Sequence, residues 1–490
     1  MKKLVLLALI KKEIKMKSLQ RRVHCLILLL FILHQNILFA QCWDKVSASS
    51  THQLAIQNDG TLWGWGTSSD LGIGLPTIPY YITPIQIGTQ NDWADISAGE
   101  NFSLGIKNDG SLWAWGSFPD PAIGGNNTTN LNTYYPVQIG IDYDWIEASA
   151  GGQHALGLKS NHTLWAWGLN NMGQVGNGLS TCIQCPPIYQ TTPLQIGSDN
   201  DWKQISASGY FSGAIKYNGT LWCWGDNTAN FVNNGLPLNN TPIQIGTDTS
   251  WSQLDFGNYF HLLALKTDGT IWSWGFDITT ITPFVVIPIP SQIGTDNYWT
   301  DISAGADHDL AIKNDGTVWS WGRNYIGQMG NGNVGGVQTL PQMILSSINN
   351  NFIKISGGME FSTGIKSDGT LWSWGSNGLG QMGIGNNLNQ ATPQTVNCSA
   401  LAIFEAQNNF EASLFPIPTS EHLTIKIKEN IGKINQLSLF DFLGKEYQPD
   451  YKQNGTTEYW INVSSLGPGF YLIKFQTDDG KLYYGEFIKQ

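Results

Sequence analysis

Four histidines recur at one place in a repeated pattern, and they are the first candidates for metal binding or proton transfer. They are His52, His154, His261 and His308. The other copies of the pattern have phenylalanine there, at Phe102, Phe211 and Phe361. A position that accepts phenylalanine is a packing position, so we predict structural histidines and assign no Ser-His-Asp triad.

Cysteine spacing and repeated Asp-Gly pairs suggest other chemistry. Cys182 and Cys185 have zinc or redox spacing, but two further ligands are not evident nearby. We predict a local disulfide, with a free or reactive pair as the alternative. The Asp-Gly pairs lack the alternating oxygen ligands of a calcium loop, and the glycine-rich run 324–332 lacks the Lys-Ser/Thr of a phosphate loop. No catalytic residue, metal site or cofactor is assigned.

A repeat of roughly 50 residues positions all of these side chains. Seven copies run from residue 43 to about 397, and the best-kept stretch reads LAIKNDGTVWSWG from Leu310. The first tryptophan of each WxWG pair is Trp63, Trp113, Trp165, Trp222, Trp272, Trp319 or Trp372. These pairs hold 14 of the 21 tryptophans, so the repeat is the dominant feature of the chain.

Each copy predicts a small antiparallel sheet of four strands, typified by ISAG, LAIK, LWxWG and PxQIG. Asp-Gly or Asn-Gly between the second and third strands predicts a two-residue hairpin turn, and only Asn161-His162 departs from it. A lone sheet cannot bury both faces, whereas sheets in a closed ring can. We therefore predict an all-β fold with a seven-bladed β-propeller over residues 41–397.

The stretch from Trp299 to Gly330 reads W-x-x-I-S-A-G-x-x-H-x-L-A-I-K-x-D-G-T-x-W-x-W-G-x-N-x-x-G-Q-x-G. This pattern resembles the repeat of the regulator of chromosome condensation family. The resemblance implies a propeller, which in eukaryotic members acts as a guanine-nucleotide exchange factor. Secreted bacterial propellers with this repeat include a β-lactamase inhibitor protein.

A second domain is predicted after a polar linker at 398–410. Strand-like runs separated by turn residues over 411–490 indicate a small β-sandwich. This segment resembles the type A sorting domain of the type IX secretion system. The resemblance rests on Pro416, Pro418, Gly469, Tyr471 and Lys489 with their neighbours, although Ile417 stands where that family usually has asparagine. It implies delivery across an outer membrane by type IX machinery, followed by release or surface attachment.

Residues 1–40 indicate a signal peptide, because eight basic side chains precede an apolar run from Cys25 to Leu33. Met16 is an alternative start, and a retained membrane anchor is the alternative function of the run. With the signal removed near Gln41, no membrane insertion is expected.

Charge limits the possible partners of residues 41–410, and two cysteines suggest how the ends of the propeller are joined. Residues 41–410 carry 10 basic and 26 acidic side chains, a net charge of −16 that disfavours nucleic acid and anionic membranes as partners. Cys42 precedes the first unit and Cys398 follows the last. In a closed ring these ends meet, so we predict a disulfide between them; two unpaired thiols are the alternative.

Loops that follow WxWG differ most between units, and such insertions often form a binding face. The candidate contact residues are Tyr80, Tyr81, Tyr134, Tyr135, Phe276, Phe284, Val285 and Ile287. The alternative is that they complete the outer strands. The preferred function is an exported module that binds an extracellular protein or glycan. An enzyme inhibitor of the β-lactamase-inhibitor type is a concrete version, and export disfavours the exchange-factor alternative.

Overall fold

The computed structural model describes most of the chain from Cys42 onward. The described residues are 42–68, 79–116, 133–180, 186–230, 232, 235–257, 261–280, 285–344, 351–398, 412–415, 421–427, 433–441, 446–467, 469–478 and 482–489. The chain divides into two compact units, residues 1–400 and 401–490. The predicted signal peptide, Cys182, Cys185, Phe284, Pro416 and Pro418 lie outside the described residues.

The first unit consists of seven four-stranded antiparallel sheets, each built from one repeat. The innermost strands are β1 (Trp43–Ala48), β5 (Trp93–Ala98), β9 (Trp145–Ala150), β13 (Trp202–Ser208), β17 (Trp251–Gly257), β21 (Trp299–Ala304) and β25 (Phe352–Gly357). The second strands are β2 (His52–Gln57), β6 (Phe102–Lys107), β10 (His154–Lys159), β14 (Phe211–Lys216), β18 (His261–Lys266), β22 (His308–Lys313) and β26 (Phe361–Lys366).

The outer half of each sheet follows the same order. The third strands are β3 (Leu62–Thr67), β7 (Leu112–Gly116), β11 (Leu164–Leu169), β15 (Leu221–Asp226), β19 (Ile271–Phe276), β23 (Val318–Arg323) and β27 (Leu371–Gly375). The outermost strands are β4 (Tyr80–Gln86), β8 (Thr133–Gln138), β12 (Tyr189–Gln195), β16 (Leu238–Gln244), β20 (Val286–Gln292), β24 (Val337–Met343) and β28 (Gln390–Val396). The predicted all-β fold and seven-bladed propeller are confirmed.

The hairpin turns differ from the two-residue type that the sequence predicts. In the first blade the Gly60 amide donates to the carbonyl of Gln57 at 2.9 Å, and Gly60 is the turn residue with positive φ, at 80°. The turn is therefore a type I turn completed by a left-handed glycine, so the two-residue assignment was wrong. The Asp59 carboxylate accepts from both the amide and the hydroxyl of Thr61, and that hydroxyl accepts from Trp63 Nε1 at 2.8 Å.

Tryptophans fill the space between blades. The second tryptophan of every WxWG pair is at most 2% exposed, because it is covered by the neighbouring sheet. Six blades also have a lysine at the end of the second strand whose Nζ lies 3.8–5.2 Å from two ring centroids. Truncating one such tryptophan to alanine would cost about 3–5 kcal/mol.

The second unit contains two four-stranded antiparallel sheets. One has the order β29 (Ala412–Phe415), β30 (His422–Ile427), β34 (Glu458–Asn462), β33 (Tyr451–Asn454). The other has the order β32 (Glu446–Tyr447), β31 (Ile434–Asp441), β35 (Gly469–Thr477), β36 (Leu482–Lys489). Alternate side chains from both sheets, including Ile425, Leu439, Ile461 and Ile473, share one buried core. Within the described residues, no helix is long and apolar enough to cross a membrane.

Candidate functional site

The repeated histidines lie between blades and are buried, at 0–1% exposure. Each donates to or accepts from a polar side chain of the next blade through Nε2: His52 with Ser103, His154 with Ser212, His261 with Asp309 and His308 with Ser362, at 2.7–3.0 Å. Burial lowers the pKa of His52 to about 3 and that of His154 to about 4, so both are neutral. The histidines therefore act as interblade hydrogen-bonding groups.

The innermost strands enclose a central cavity of about 380 Å³. A serine on the inner strand accepts a hydrogen bond from a backbone amide of the next blade at five of the seven blade junctions, at 2.8–3.0 Å. Asp255 replaces serine in the fifth blade, where it accepts from Ser206 of the fourth and from the Ala304 amide of the sixth. These bonds form a complete ring, including the junction at which Ser356 of the last blade meets Ala48 of the first.

A second ring of polar residues lies two positions after the residue that opens each inner strand. Its members are Lys45, Asp95, Glu147, Gln204, Gln253, Asp301 and Lys354. A break in strand register separates the opening residue from this position in all seven blades, and such bulges redirect a side chain. Lys45 pairs with Asp95 at 2.9 Å, and Gln253 donates to Asp301 at 2.9 Å.

Glu147 is the member of this ring whose pKa differs most from its ordinary value. Burial raises its pKa from 4.5 to about 8, and the nearby Asp95 carboxylate adds to the rise, while the Ile205 amide and Lys45 oppose it. The neutral form is therefore favoured in the folded protein.

We predict that the free energy of unfolding falls as the pH rises from about 4.5 to 8, because the folded protein holds the Glu147 proton and the unfolded chain releases it. Glu147→Gln is expected to reduce this pH slope and to raise stability at pH 8.5 by about 1–3 kcal/mol. Urea denaturation at several pH values measures it, with Glu421→Gln, which changes an exposed glutamate, as the control. An unchanged slope in Glu147→Gln would contradict the assignment.

Loops after the third strands are held in place by buried asparagines. Asn170, Asn227, Asn324 and Asn377 are at most 3% exposed. Each accepts from the amide five residues later and donates to the carbonyl nine residues later, at 2.6–3.1 Å. The loops are thus fixed before any partner binds, which lowers the entropic cost of binding.

These fixed loops present exposed apolar side chains at one end of the propeller, which we call the loop face. They are Leu179, Leu236, Tyr325, Val334, Leu379 and Leu388, at 40–65% exposure. The carbonyls of Leu179 and Leu236 are the ones held by Asn170 and Asn227. The hairpin turns lie at the opposite end, the hairpin face, because successive strands of each blade are antiparallel.

Models of the regulator of chromosome condensation (RCC1) repeat match this part of the chain. One matches residues 161–215, 315–365 and 368–401, and a second matches 93–118, 145–174, 202–230, 299–328 and 352–381. These matches fall in five of the seven blades, the second, third, fourth, sixth and seventh, so the propeller is RCC1-like. A model of the secretion system C-terminal sorting domain matches residues 413–490. Both predicted resemblances are confirmed.

Several known proteins are similar to this chain in sequence or in fold. The chain is 26% identical over 266 residues to the ultraviolet-B receptor UVR8 and to the mitochondrial RCC1 domain-containing protein RUG3, both from Arabidopsis thaliana. The matches cover 51% and 50% of this chain, which spans 58% and 57% of those relatives. The crystal structure of Prp20p from Saccharomyces cerevisiae has a TM-score of 0.60 at 17% identity, covering 78% of this chain and 91% of that one. Human WBSCR16 has a TM-score of 0.59 at 19% identity, covering 67% and 88%.

The predicted contact residues of the RCC1 propeller fall into different environments. Tyr135 is 60% exposed and Val285 is 44% exposed, whereas the side chains of Tyr134 and Phe284 lie outside the described residues. Tyr81 is only 5% exposed and belongs to the core of the first blade, so it is not an accessible anchor. Tyr80 is half-buried.

Phe276 and Ile287 also pack against the core, in the fifth blade. Tyr81 and Ile287 occupy equivalent places, opposite the glycine of WxWG. Tyr81 and Ile287 lie in outermost strands, as in the alternative interpretation, whereas Phe276 ends the third strand of its blade. The two polar rings and the buried asparagines were missed, although aligning the seven units shows them.

Cysteine placement at the two ends of the RCC1 propeller is consistent with a closed ring. The structure joins Cys42 to Cys398 by a disulfide, with Cα atoms 6.0 Å apart. Cys223 is a buried free thiol, and burial raises its pKa.

In the sorting domain, the Tyr471 hydroxyl donates to the carbonyl of Gly467 at 3.0 Å, and Lys489 is 7% exposed at the end of its strand. Among the described residues, no group of acidic, cysteine and histidine side chains could hold a metal ion.

Proposed function

We propose that this chain is a secreted or cell-surface binding protein whose loop face engages a partner protein. The RCC1 propeller and the C-terminal sorting domain support export of a binding module. The observation that carries the proposal is the set of loops fixed by buried asparagines, which hold exposed apolar side chains such as Leu179 and Leu236 in place. Apolar anchors on a rigid frame are typical of protein-binding surfaces.

Export favours a partner outside the cytoplasm. Prp20p is described by its binding to Gsp1p and histones, so an RCC1-type propeller can carry protein-binding sites. For this chain the sorting domain disfavours a cytosolic GTPase as partner, and the net charge of −16 on residues 41–410 disfavours nucleic acid. An extracellular protein, including an enzyme that the propeller inhibits, fits the exported location.

A pair of charge substitutions tests the loop face. We expect Leu179→Asp with Leu236→Asp to weaken partner binding at least about tenfold, because two apolar anchors would become charged. The control is Tyr298→Asp, which changes a 58% exposed tyrosine on the hairpin face. The measurement is quantitative mass spectrometry after cross-linking to surface and culture-medium proteins of the native host, with an added arm of purified serine β-lactamase. Equal recovery of every protein by all three forms would refute the proposal.

The sorting domain has its own test. Deleting residues 411–490 is expected to leave the propeller folded and held in the periplasm, because the domain that the export machinery recognises is removed. Cell fractionation and tryptophan fluorescence measure location and folding, and a Lys426→Ala variant of the full chain serves as the control. Normal surface delivery of the truncated chain would contradict the type IX assignment.

A further inference from the structure

One blade departs from the repeat at the hairpin face. In the six other blades the turn residue with positive φ is glycine, at 74–80°, whereas the third blade has His162 at 62°. A Cβ added to Gly60, Gly110, Gly219 or Gly269 would come within 2.3 Å of a backbone carbonyl oxygen of the adjoining segment. Both backbone conformation and space therefore select glycine here, and a histidine that persists at such a place points to a function.

The departure is matched by a second one in the next blade. The residue that follows the second strand is small or polar in six blades, but in the fourth blade it is Tyr217. The rings of His162 and Tyr217 form an edge-to-face pair with centroids 4.9 Å apart, and the Tyr217 hydroxyl lies 3.4 Å from His162 Nδ1. Tyr217 remains 58% exposed, so His162 holds an aromatic ring in a fixed position at the surface.

A groove lies at the neighbouring blade junction, and neither His162 nor Tyr217 is part of its lining. It has a volume of about 490 Å³, within the roughly 300–1,000 Å³ of ligand-binding clefts, and lies between the second and third blades. Its lining includes Tyr143, which is 59% exposed, and Ile146, which is 47% exposed. It ends at Ser160, two residues before His162 in the same turn.

The polar groups of the groove suit a ligand rich in hydroxyl groups. Asn108, Asp109 and Asp144 line the walls with an amide and two carboxylates; Asp109 already accepts from the Ser111 hydroxyl at 2.6 Å, and Asp144 is paired with Lys159 at 3.1 Å. The groove's two lysines are already paired, Lys107 with Asp92 at 3.1 Å and Lys45 with Asp95 at 2.9 Å. With its cations neutralised and a body of net charge −16, the groove repels anionic polymers.

We infer that the groove and the Tyr217–His162 pair together bind a neutral polysaccharide. The C–H faces of sugar rings pack against the electron-rich faces of Tyr143 and Tyr217, while sugar hydroxyls hydrogen-bond to the groove's amide and carboxylate groups. Tyr143 lines the groove, and Tyr217 lies beyond it against His162, two residues from Ser160 of the lining, so the two rings offer successive stacking surfaces to an extended chain. This site lies on the hairpin face and is separate from the protein-binding loop face.

The test uses the full chain lacking residues 1–40 and measures retention on insoluble cellulose, curdlan, starch and mannan, with polygalacturonate and heparin as anionic arms. We expect retention on at least one neutral polymer and on neither anionic one. Tyr143→Ala should lower that retention about tenfold and Tyr217→Ala about threefold or more, because each removes a stacking surface. Tyr325→Ala, which removes a 45% exposed tyrosine from the loop face, should leave it unchanged.

His162→Gly separates binding from folding. It restores the glycine of the other blades, so thermal stability should stay the same or rise, whereas polysaccharide retention should fall because Tyr217 loses its support. The inference is overturned if no neutral polymer retains the protein, if an anionic polymer does, or if the Tyr143→Ala and Tyr217→Ala variants bind as the parent does. Leu179→Asp with Leu236→Asp should retain polysaccharide binding, so failure of the two sites can be told apart.

Discussion

Replacing Cys398 with serine is expected to lower the free energy of unfolding of the propeller by about 4–5 kcal/mol. The bond to Cys42 spans 356 positions, so its loss releases a very long loop in the unfolded chain. No blade contains strands from both ends of the chain, since each sheet consists of four consecutive strands. The last junction therefore has the disulfide in addition to the side-chain and backbone contacts between blades.

Tryptophan fluorescence during guanidinium denaturation measures this loss, because 20 of the 21 tryptophans precede residue 400. The control is the parent protein in reductant, which should unfold at the midpoint of the Cys42→Ser, Cys398→Ser double variant. Non-reducing peptide mapping should give a linked Cys42–Cys398 peptide. Free thiols at both positions, or Cys42 joined to Cys182 or Cys185, would contradict the predicted pairing.

His261→Phe is expected to cost about 3–5 kcal/mol, more than the same change at the other repeated histidines. Its partner Asp309 is a carboxylate with 0% exposure, bonded to His261 Nε2 at 2.8 Å. Among the described residues, the second oxygen of Asp309 has no hydrogen-bond partner. Phenylalanine at 261 would thus leave a buried carboxylate without the bond that compensates its desolvation.

His308→Phe is the matched control and should cost about 1–2 kcal/mol. Its partner Ser362 keeps a hydrogen bond to the carbonyl of Gln328, at 2.8 Å. Adding Asp309→Ala to His261→Phe should recover most of the loss, because Phe102 and Ala155 already share one apolar cluster in the second and third blades. Thermal and urea denaturation measure all three variants, and equal losses at 261 and 308 would show that the carboxylate is not decisive.

The repeat made the architecture predictable, because the patterns of four strands and of the buried tryptophans occur in the same order in every unit. The histidine positions were also predictable as packing positions, and their polar partners could have been found by alignment. Where the next blade offers Ser103, Ser212, Asp309 or Ser362, the chain has histidine; where it offers Ala155, Leu262 or Gln53, it has phenylalanine. The pairing crosses between blades, so it becomes visible only once neighbouring units are compared.

The binding surfaces were harder to predict because exposure depends on packing between units. The burial of Tyr81 cannot be predicted from its residue type, because it depends on packing in a core cluster that includes residues of neighbouring blades. Conversely, Tyr217 reads as an ordinary turn residue until it is placed beside His162. Residue type alone predicted apolar anchors, but the cross-strand and cross-blade neighbours decide which ones reach the surface.

Because every blade is one uninterrupted stretch of chain, the ring does not depend on which blade comes first in the sequence. The ends at Cys42 and Cys398 lie with their Cα atoms 6.0 Å apart, which a short peptide can bridge. A circular permutant that joins these ends and opens the link between two other blades, for example at 198–200, would keep all seven sheets intact. The sorting domain could then be attached at any blade junction, and because all of these junctions lie at the hairpin face, only its position around the ring would change.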